Sequence, residues 1–484
     1  MKRPNILIFM TDHQRADTSY PEHGAITPNL DNFAKEGLLF RNTFCPSPHC
    51  CPARATFFSG LYPSRHGVWN NVCNRQAHHR GLKEGVRLWS EDLADAGYRM
   101  QYFGKWHVSS LEGPADRGWQ TGFASGTNPF EHDVRWETYR EIAKKPPPQE
   151  RQPGQILRPG YGPYSLYGVE EPTEADHDEK AVRGGVSFLE TLEDSDEPWA
   201  LYVGVNGPHD PYNIPQEFLD LYDPRDIPLP ASFEDDLADK PVIARRMREQ
   251  VFGQLTPDEV REGIRHFWAY CSYLDHLFGQ LLAALDETGM KEDTLVIYLS
   301  DHGDYCGEHG LFAKGIPCYQ GAYRVPLVVR YPRGIRNPGR EEIAFISLAD
   351  FAPTILEIAG IETDRSFTGK SFMPFLEGNI PEDWREAIHT QCDGVELYYT
   401  QRSVMTRNHK YVFNGFDRDE LYDLRHDPDE MNNLIDDPAY QPIIKALCRE
   451  MWAFAYQEED SIINRYITVA LAPFGPAILF EQEG

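Results

Sequence analysis

The sequence predicts an α/β sandwich followed by a smaller α+β subdomain. Continuous apolar runs alternate with amphipathic helical patterns over about 360 residues, the signature of strands and helices in turn. Past Asp350 the alternation gives way to strands joined by polar turns and one helix. At 484 residues the chain is long for a single core, so residues 1–380 are expected to form the larger domain and 381–484 the smaller.

The elements follow in order. Residues 6–10 are a short unbroken apolar run, a buried strand that ends at Thr11-Asp12. Thr27-Pro28 caps a helix whose Leu30, Phe33 and Ala34 share a face, stopped near Gly37. In Cys50-Cys51-Pro52-Ala53-Arg54, Pro52 suits the first turn of a helix and Gly60 the residue past its end. Cys50 then stands where unpaired N–H groups favour an anion, and Arg54 lies one turn along. A helix over 86–96 stops at Gly97, and a strand over 98–103 runs into Gly104-Lys105-Trp106-His107.

Residues 110–173, with Pro146-Pro147-Pro148 and Pro159-Gly160-Tyr161-Gly162-Pro163, read as a long excursion without its own core. A helix over 174–192 precedes a strand over 200–205 that delivers Asn206-Gly207-Pro208-His209. Thr256-Pro257-Asp258-Glu259 is a capping box for a long helix that ends at Gly289. A strand over 294–299 delivers Ser300-Asp301-His302-Gly303. Beyond Asp350, 403–412 and 420–424 read as strands and 440–456 as a helix. The apolar, proline-punctuated tail 461–480 is expected to pack on the body or on another subunit, which leaves a homo-oligomer open.

Acidic residues outnumber basic ones 75 to 47, a net charge of −28. This argues against a broad nucleic-acid or anionic-membrane surface and leaves only a local basic pocket for any polyanion. Nine cysteines without repeating spacing do not form a disulfide framework. The apolar run after Met1-Lys2-Arg3-Pro4 is too short for a signal peptide, and no run approaches the ~20 residues of a membrane helix. A cytoplasmic protein is expected, with neither nucleic acid nor membrane as partner.

Four polar clusters close predicted strands: Asp12-His13, Lys105-Trp106-His107, His209 and Asp301-His302. Ligand sites of open α/β sheets form outside the carboxyl ends of the strands, so these clusters are expected to converge. Their order resembles the type I sulfatases of the alkaline phosphatase superfamily. Cys50 to Arg54, with the small Ala55 and Gly60, resembles the family's Cys-x-Pro-x-Arg signature. Asn5 to Asp12 resembles its opening strand, Gly104 to His107 its Gly-Lys-Trp-His element, and Ser300 to Gly303 with Gly307-Glu308-His309-Gly310 and Lys314-Gly315 its second metal segment. Tyr323-Arg324-Val325-Pro326 and Glu420-Leu421-Tyr422-Asp423-Leu424 also match in order.

The resemblance implies a large mixed central sheet sandwiched by helices, and an enzyme that hydrolyses sulfate esters. It implies that a maturation enzyme oxidises Cys50 to formylglycine, whose hydrated aldehyde attacks sulfur. Asp12, Asp301, His302 and an oxygen of the modified Cys50 would hold one divalent cation, Ca²⁺ by family, with the imidazole moving preference toward Mn²⁺ or another transition metal. Arg54, Lys105 and Lys314 would neutralise sulfate oxygens, and Asn71 would donate a further hydrogen bond. His209 is the candidate acid for the leaving alcohol and His107 the base that restores the aldehyde. The substrate would be a sulfated small molecule or saccharide, its pocket mouth lined near Arg75, His78, His79 and Arg80 and by the excursion.

Two departures stand out. His13 occupies a position where the family often has a second aspartate, and His302 one where asparagine is frequent. Related phosphonate monoester and phosphodiester hydrolases share Asp-His at the second segment and are the alternative reading. Lys105 and His107 favour the sulfatases. A catalytically silent binder of sulfated ligands is the third reading, and it is opposed by the completeness of the set.

Overall fold

The computed structural model describes residues 3–128, 135–145, 150–173, 175–192, 197–395, 397–465 and 467–481. Its largest sheet holds nine strands: β1 (Asn5–Thr11), β2 (Leu38–Phe44), β3 (Arg99–Lys105), β4 (Gln120–Ser125), β5 (Trp199–Gly204), β6 (Thr294–Ser300), β7 (Arg324–Val325), β8 (Leu327–Arg330) and β9 (Arg340–Ser347). The order is β7-β2-β8-β6-β1-β5-β3-β4, with β9 parallel to β2. β6, β1, β5, β3 and β4 run parallel, whereas β8 is antiparallel to β6. The five parallel strands therefore end on one edge.

Every residue of β1 is buried, because helices cover both faces of the sheet. Leu7 and Phe9 pack with Phe33 of α1 (Pro28–Lys35), Leu189 of α4 (His177–Glu190) and Phe278 of α5 (Pro257–Glu287). Ile6, Ile8 and Met10 point the other way, toward Phe57 and Phe58 of α2 (Cys50–Ser59) and Trp89 of α3 (Trp89–Asp95). This division is the period-two alternation of a strand buried on both sides.

Several elements differ in detail from expectation. Thr27 stands at the N-cap of α1 but makes no side-chain cap bond. Asp275 of α5 does so instead, accepting from Asn29 N–H at 3.1 Å and Leu30 N–H at 2.7 Å. α3 begins at Trp89 rather than near 86, where the Glu91 carboxylate caps the Leu88 N–H at 2.8 Å. The excursion 110–173 contains β4, a full member of the main sheet. Its sequence Gln-Thr-Gly-Phe-Ala-Ser carries too little apolar character to announce an edge strand. Pro146-Pro147-Pro148 and Glu174 lie outside the described residues.

The segment 403–412 is a hairpin, not one strand. β11 (Gln401–Thr406) and β12 (His409–Phe413) turn at Arg407-Asn408, and with β10 (Ala387–Cys392) and β13 (Glu420–Asp423) they form a four-stranded antiparallel sheet. α6 (Gln441–Gln457) covers it through Trp452, and the tail returns onto that helix. Trp452 Nε1 donates to the Phe474 carbonyl at 2.7 Å, and Ile478 is buried beside it. No described helix is long and apolar enough to cross a membrane.

Candidate active site

The carboxyl ends of β1, β3, β5 and β6 deliver Asp12, Lys105, the loop to His209, and Asp301-His302. α2 brings Cys50 to the same place at its first residue, with Pro52 in its first turn and Gly60 in the left-handed region (φ 74°) at its end. A glycine is needed just before Lys105, because Gly104 has φ +100° and a Cβ there would collide with the Gly204 carbonyl. His13 (φ 72°) and His107 (φ 51°) are also left-handed, a conformation that costs a residue with a Cβ about 1–2 kcal/mol.

Asp12, Cys50, Asp301 and His302 each offer a ligand atom within 4.8 Å of the others. The Cys50 Sγ lies 3.3 Å from His302 Nε2, 3.7 Å from Asp12 Oδ1 and 3.6 Å from Lys105 Nζ. His302 Nδ1 faces the Gly303 carbonyl at 2.9 Å. A carbonyl can only accept, so this nitrogen carries a proton, and Nε2 is the nitrogen turned toward Cys50 and Asp12. Lys105 also pairs directly with Asp12.

Arg54 is wholly buried. Nε donates to Asp301 Oδ2 at 2.8 Å, Nη1 donates to the Lys105 carbonyl at 2.9 Å and to Tyr202 at 3.1 Å, and Nη2 lies 3.5 Å from Asp12. The fork anticipated for an oxyanion is thus directed at the two carboxylates and the backbone of Lys105. Lys314 meets His13 and, at 3.1 Å, His209 Nε2. His209 Nδ1 faces the Asp210 carbonyl at 2.6 Å. Asn71 accepts from the Cys51 N–H at 3.2 Å, which leaves its amide NH₂ toward the cavity it lines.

The charges act on one another. Burial and the facing thiolate push the Asp12 carboxyl up, but Lys105, His209 and Arg54 together draw it down to about 2. The Cys50 thiol, raised by burial, is pulled well below its ordinary range by Lys105, Lys314 and His302, with a hydrogen bond from His107. Burial, ahead of all else, holds the His107 ring toward its neutral form.

Two hollows that share Asn71, His209 and Asp210 in their linings open above this floor. One of about 520 Å³ is lined by Cys50, Asn71, Lys105, His107 and His209, and a second of about 710 Å³ by Arg75, Tyr139, Tyr161 and Lys314 among others. Of the expected mouth residues, Arg75 lines the cavity, His78 packs at a tilt against Tyr398, and Arg80 donates to the carbonyls of Val72 and Asn74. Sequence reasoning did not single out Ser125, His177, Asp210 or Asp304, all of which are at or against the site. Only the run Asp176-His177-Asp178 at the start of α4 offered a signal.

Comparisons with known proteins agree with this geometry. The family model described as Sulfatase matches residues 4–361, and one described as N-sulphoglucosamine sulphohydrolase, C-terminal, matches 307–457. An uncharacterized sulfatase, YidJ, of Escherichia coli is 32% identical, covering 90% of this chain and 84% of that protein. A choline-sulfatase of Rhizobium meliloti is 31% identical over 90% and 83%. The phosphonate monoester hydrolase of Agrobacterium radiobacter superposes with a TM-score of 0.76 over 94% of this chain and 96% of that one, at 24% identity, a likeness of fold. By the family model and the relatives together, the chain belongs to the sulfatase family of the alkaline phosphatase superfamily.

Proposed function

We propose that this chain hydrolyses a sulfate monoester, with formylglycine made from Cys50 as nucleophile and one divalent cation held by Asp12, Asp301, His302 and the modified Cys50. The observation that carries the reading is the meeting of the Cys50 sulfur with two carboxylates, an imidazole nitrogen and an ammonium group on one buried floor. The donors fit a cation because His302 is held in the ligating tautomer by Gly303. When bound, the cation neutralises sulfate oxygens and sharpens the nucleophile; the carboxylates of this set suit the Ca²⁺ of the family, and its imidazole moves preference toward Mn²⁺ or another transition metal. Oxidation of Cys50 supplies an aldehyde hydrate, which can release sulfate by C–O cleavage where a serine ester would need a second attack by water.

The other side chains position and move protons. Lys105 and Lys314 place fixed positive charge where negative charge builds in the transition state. Arg54 orients Asp301 and the Lys105 backbone. Asn71 offers its amide to the ester. The Asp210 carbonyl holds His209 Nδ1–H, so Nε2, which accepts from Lys314, is the nitrogen through which His209 passes a proton to the leaving alcohol. His107, kept neutral against position 50, takes a proton from the hydroxyl remaining there. Residues 1–380 form the catalytic domain in this reading, with 381–484 bracing it.

The Asp301-His302 pair supports a second reading as a phosphonate monoester or phosphodiester hydrolase, while Lys105 and His107 favour sulfate. Mass spectrometry of the Cys50 peptide, joined to parallel turnover of an aryl sulfate and an aryl phosphonate monoester, separates them. An oxidised Cys50 and faster sulfate release are expected. A clear preference for the phosphonate would overturn the first reading, and an intact thiol in protein from its native host would leave only a binder of sulfated ligands.

A further inference from the structure

Ser125 closes β4 one strand over from Lys105, which it faces in the parallel register. Its Oγ lies 2.9 Å from His177 Nε2, and His177 Nδ1 lies 3.1 Å from Asp178 Oδ1. Ser125 and His177 line the same hollow as Cys50, Lys105, His107 and His209. The reaction described above uses neither of them.

The direction of these hydrogen bonds follows from Asp178. This buried carboxylate accepts from Asn206 N–H at 2.6 Å, Gly207 N–H at 3.0 Å and Tyr270 O–H at 3.3 Å. A carboxylate set among donors accepts from His177 as well, so His177 Nδ1 carries the proton. With that proton on Nδ1, Nε2 accepts and draws the Ser125 hydroxyl hydrogen toward itself. The Ser125 oxygen consequently presents lone pairs, and no hydrogen, to the cavity.

We infer that Ser125, oriented by His177 and Asp178, is a specificity-determining residue that accepts a hydrogen bond from a hydroxyl group of the leaving alcohol. The preferred ester is therefore the sulfate of a polyhydroxylated alcohol. A phenol, or an alcohol bearing only a quaternary ammonium, brings no second hydroxyl to donate. This inference rests on the sulfate-ester reading of the floor.

The test uses matured protein with 4-nitrophenyl sulfate, choline sulfate and a panel of hexose and hexosamine monosulfates. At least one sugar sulfate is expected to be turned over with the highest kcat/KM. In Ser125→Ala the ratio of kcat/KM for that sugar sulfate to that for 4-nitrophenyl sulfate falls roughly tenfold, the effect of one lost hydrogen bond in a closed site. Ser125→Thr restores the ratio, and His177→Phe lowers it similarly. The double variant falls no further than Ser125→Ala alone, because His177 acts only through the Ser125 hydroxyl it orients. An unchanged ratio in Ser125→Ala, additive losses in the double variant, or turnover of the aryl ester alone would overturn the inference. Matured protein that hydrolyses no sulfate ester at all would instead sink the underlying reading.

Discussion

The floor of the cavity and its mouth are built in opposite ways. Asp12, Cys50, Arg54, Asp301 and His302 are each at most 1% exposed, and each stands at the end of a parallel strand or in the first two turns of α2. Asn74, Arg75, Gln76, Tyr139 and Tyr161 belong to loops and one short helix, and Tyr161 is 47% exposed. The floor is fixed by sheet register, which cannot slip without moving a whole core. The mouth is fixed by connections that can change length and sequence at little cost to the fold. Reaction type should therefore follow the floor, and choice of substrate the mouth.

The severest break in that contrast is Cys50→Ala. It should lower kcat/KM for an aryl sulfate by about 10⁴-fold or more while leaving the melting temperature close to that of the parent; substantial residual turnover would place the nucleophile elsewhere. Lys105→Met should reduce kcat by about 10²–10³-fold, a loss that stopped-flow or steady-state sulfate release can read, and a change confined to KM would contradict its place on the floor. Chelation should abolish turnover and destabilise the protein by roughly 2–4 kcal/mol relative to a saturating cation. Calorimetry with and without added Ca²⁺ or Mn²⁺ checks this, and identical melting would remove the cation from the cluster.

His66 braces the floor from behind α2. Its Nε2 meets Thr56 Oγ1 at 3.0 Å, and its Nδ1 accepts from the Val68 N–H at 3.1 Å. Burial, assisted by Lys83, lowers its pKa to about 3. The folded state then binds fewer protons than the unfolded chain between pH 6.5 and 3, so stability is lost as pH falls through that window, by about 2 kcal/mol at pH 5. Denaturant titrations at pH 7 and 5 should show His66→Gln flattening this slope, and an unaltered slope would refute it. The smallest effect is expected at the mouth: Tyr161→Ala should change KM a few-fold for a bulky ester, with kcat and stability nearly constant. A collapse of kcat there would erase the distinction between the two regions.

The sequence revealed most of the floor, because strand ends punctuated by Asp, Lys and His stand out against apolar runs. Asp12, Lys105 and Asp301 fell at the ends of the expected strands, and His209 on the loop that the fourth delivers. Relations between distant segments were not legible. Asp275 caps α1 from 246 positions away, and nothing near Thr27 signals it. β4 was hidden because an edge strand needs apolar residues on one face only. The Ser125–His177 contact joins the strand hidden inside the excursion to the helix that follows it. Even Arg54, correctly placed beside Cys50, was expected to face the ligand, and only the packed structure directs it at Asp301.

The burial of Cys50 carries a consequence for the order of events in the cell. Its side chain sits beneath Lys105, His107 and His302, at the head of a helix whose opposite face is locked against Phe351 and Trp89. An enzyme that must grip several residues around this cysteine cannot do so once the sheet has closed over it. If Cys50 is oxidised as proposed, maturation and folding are in a race, and slowing the chain's collapse should raise the fraction of molecules whose Cys50 is converted.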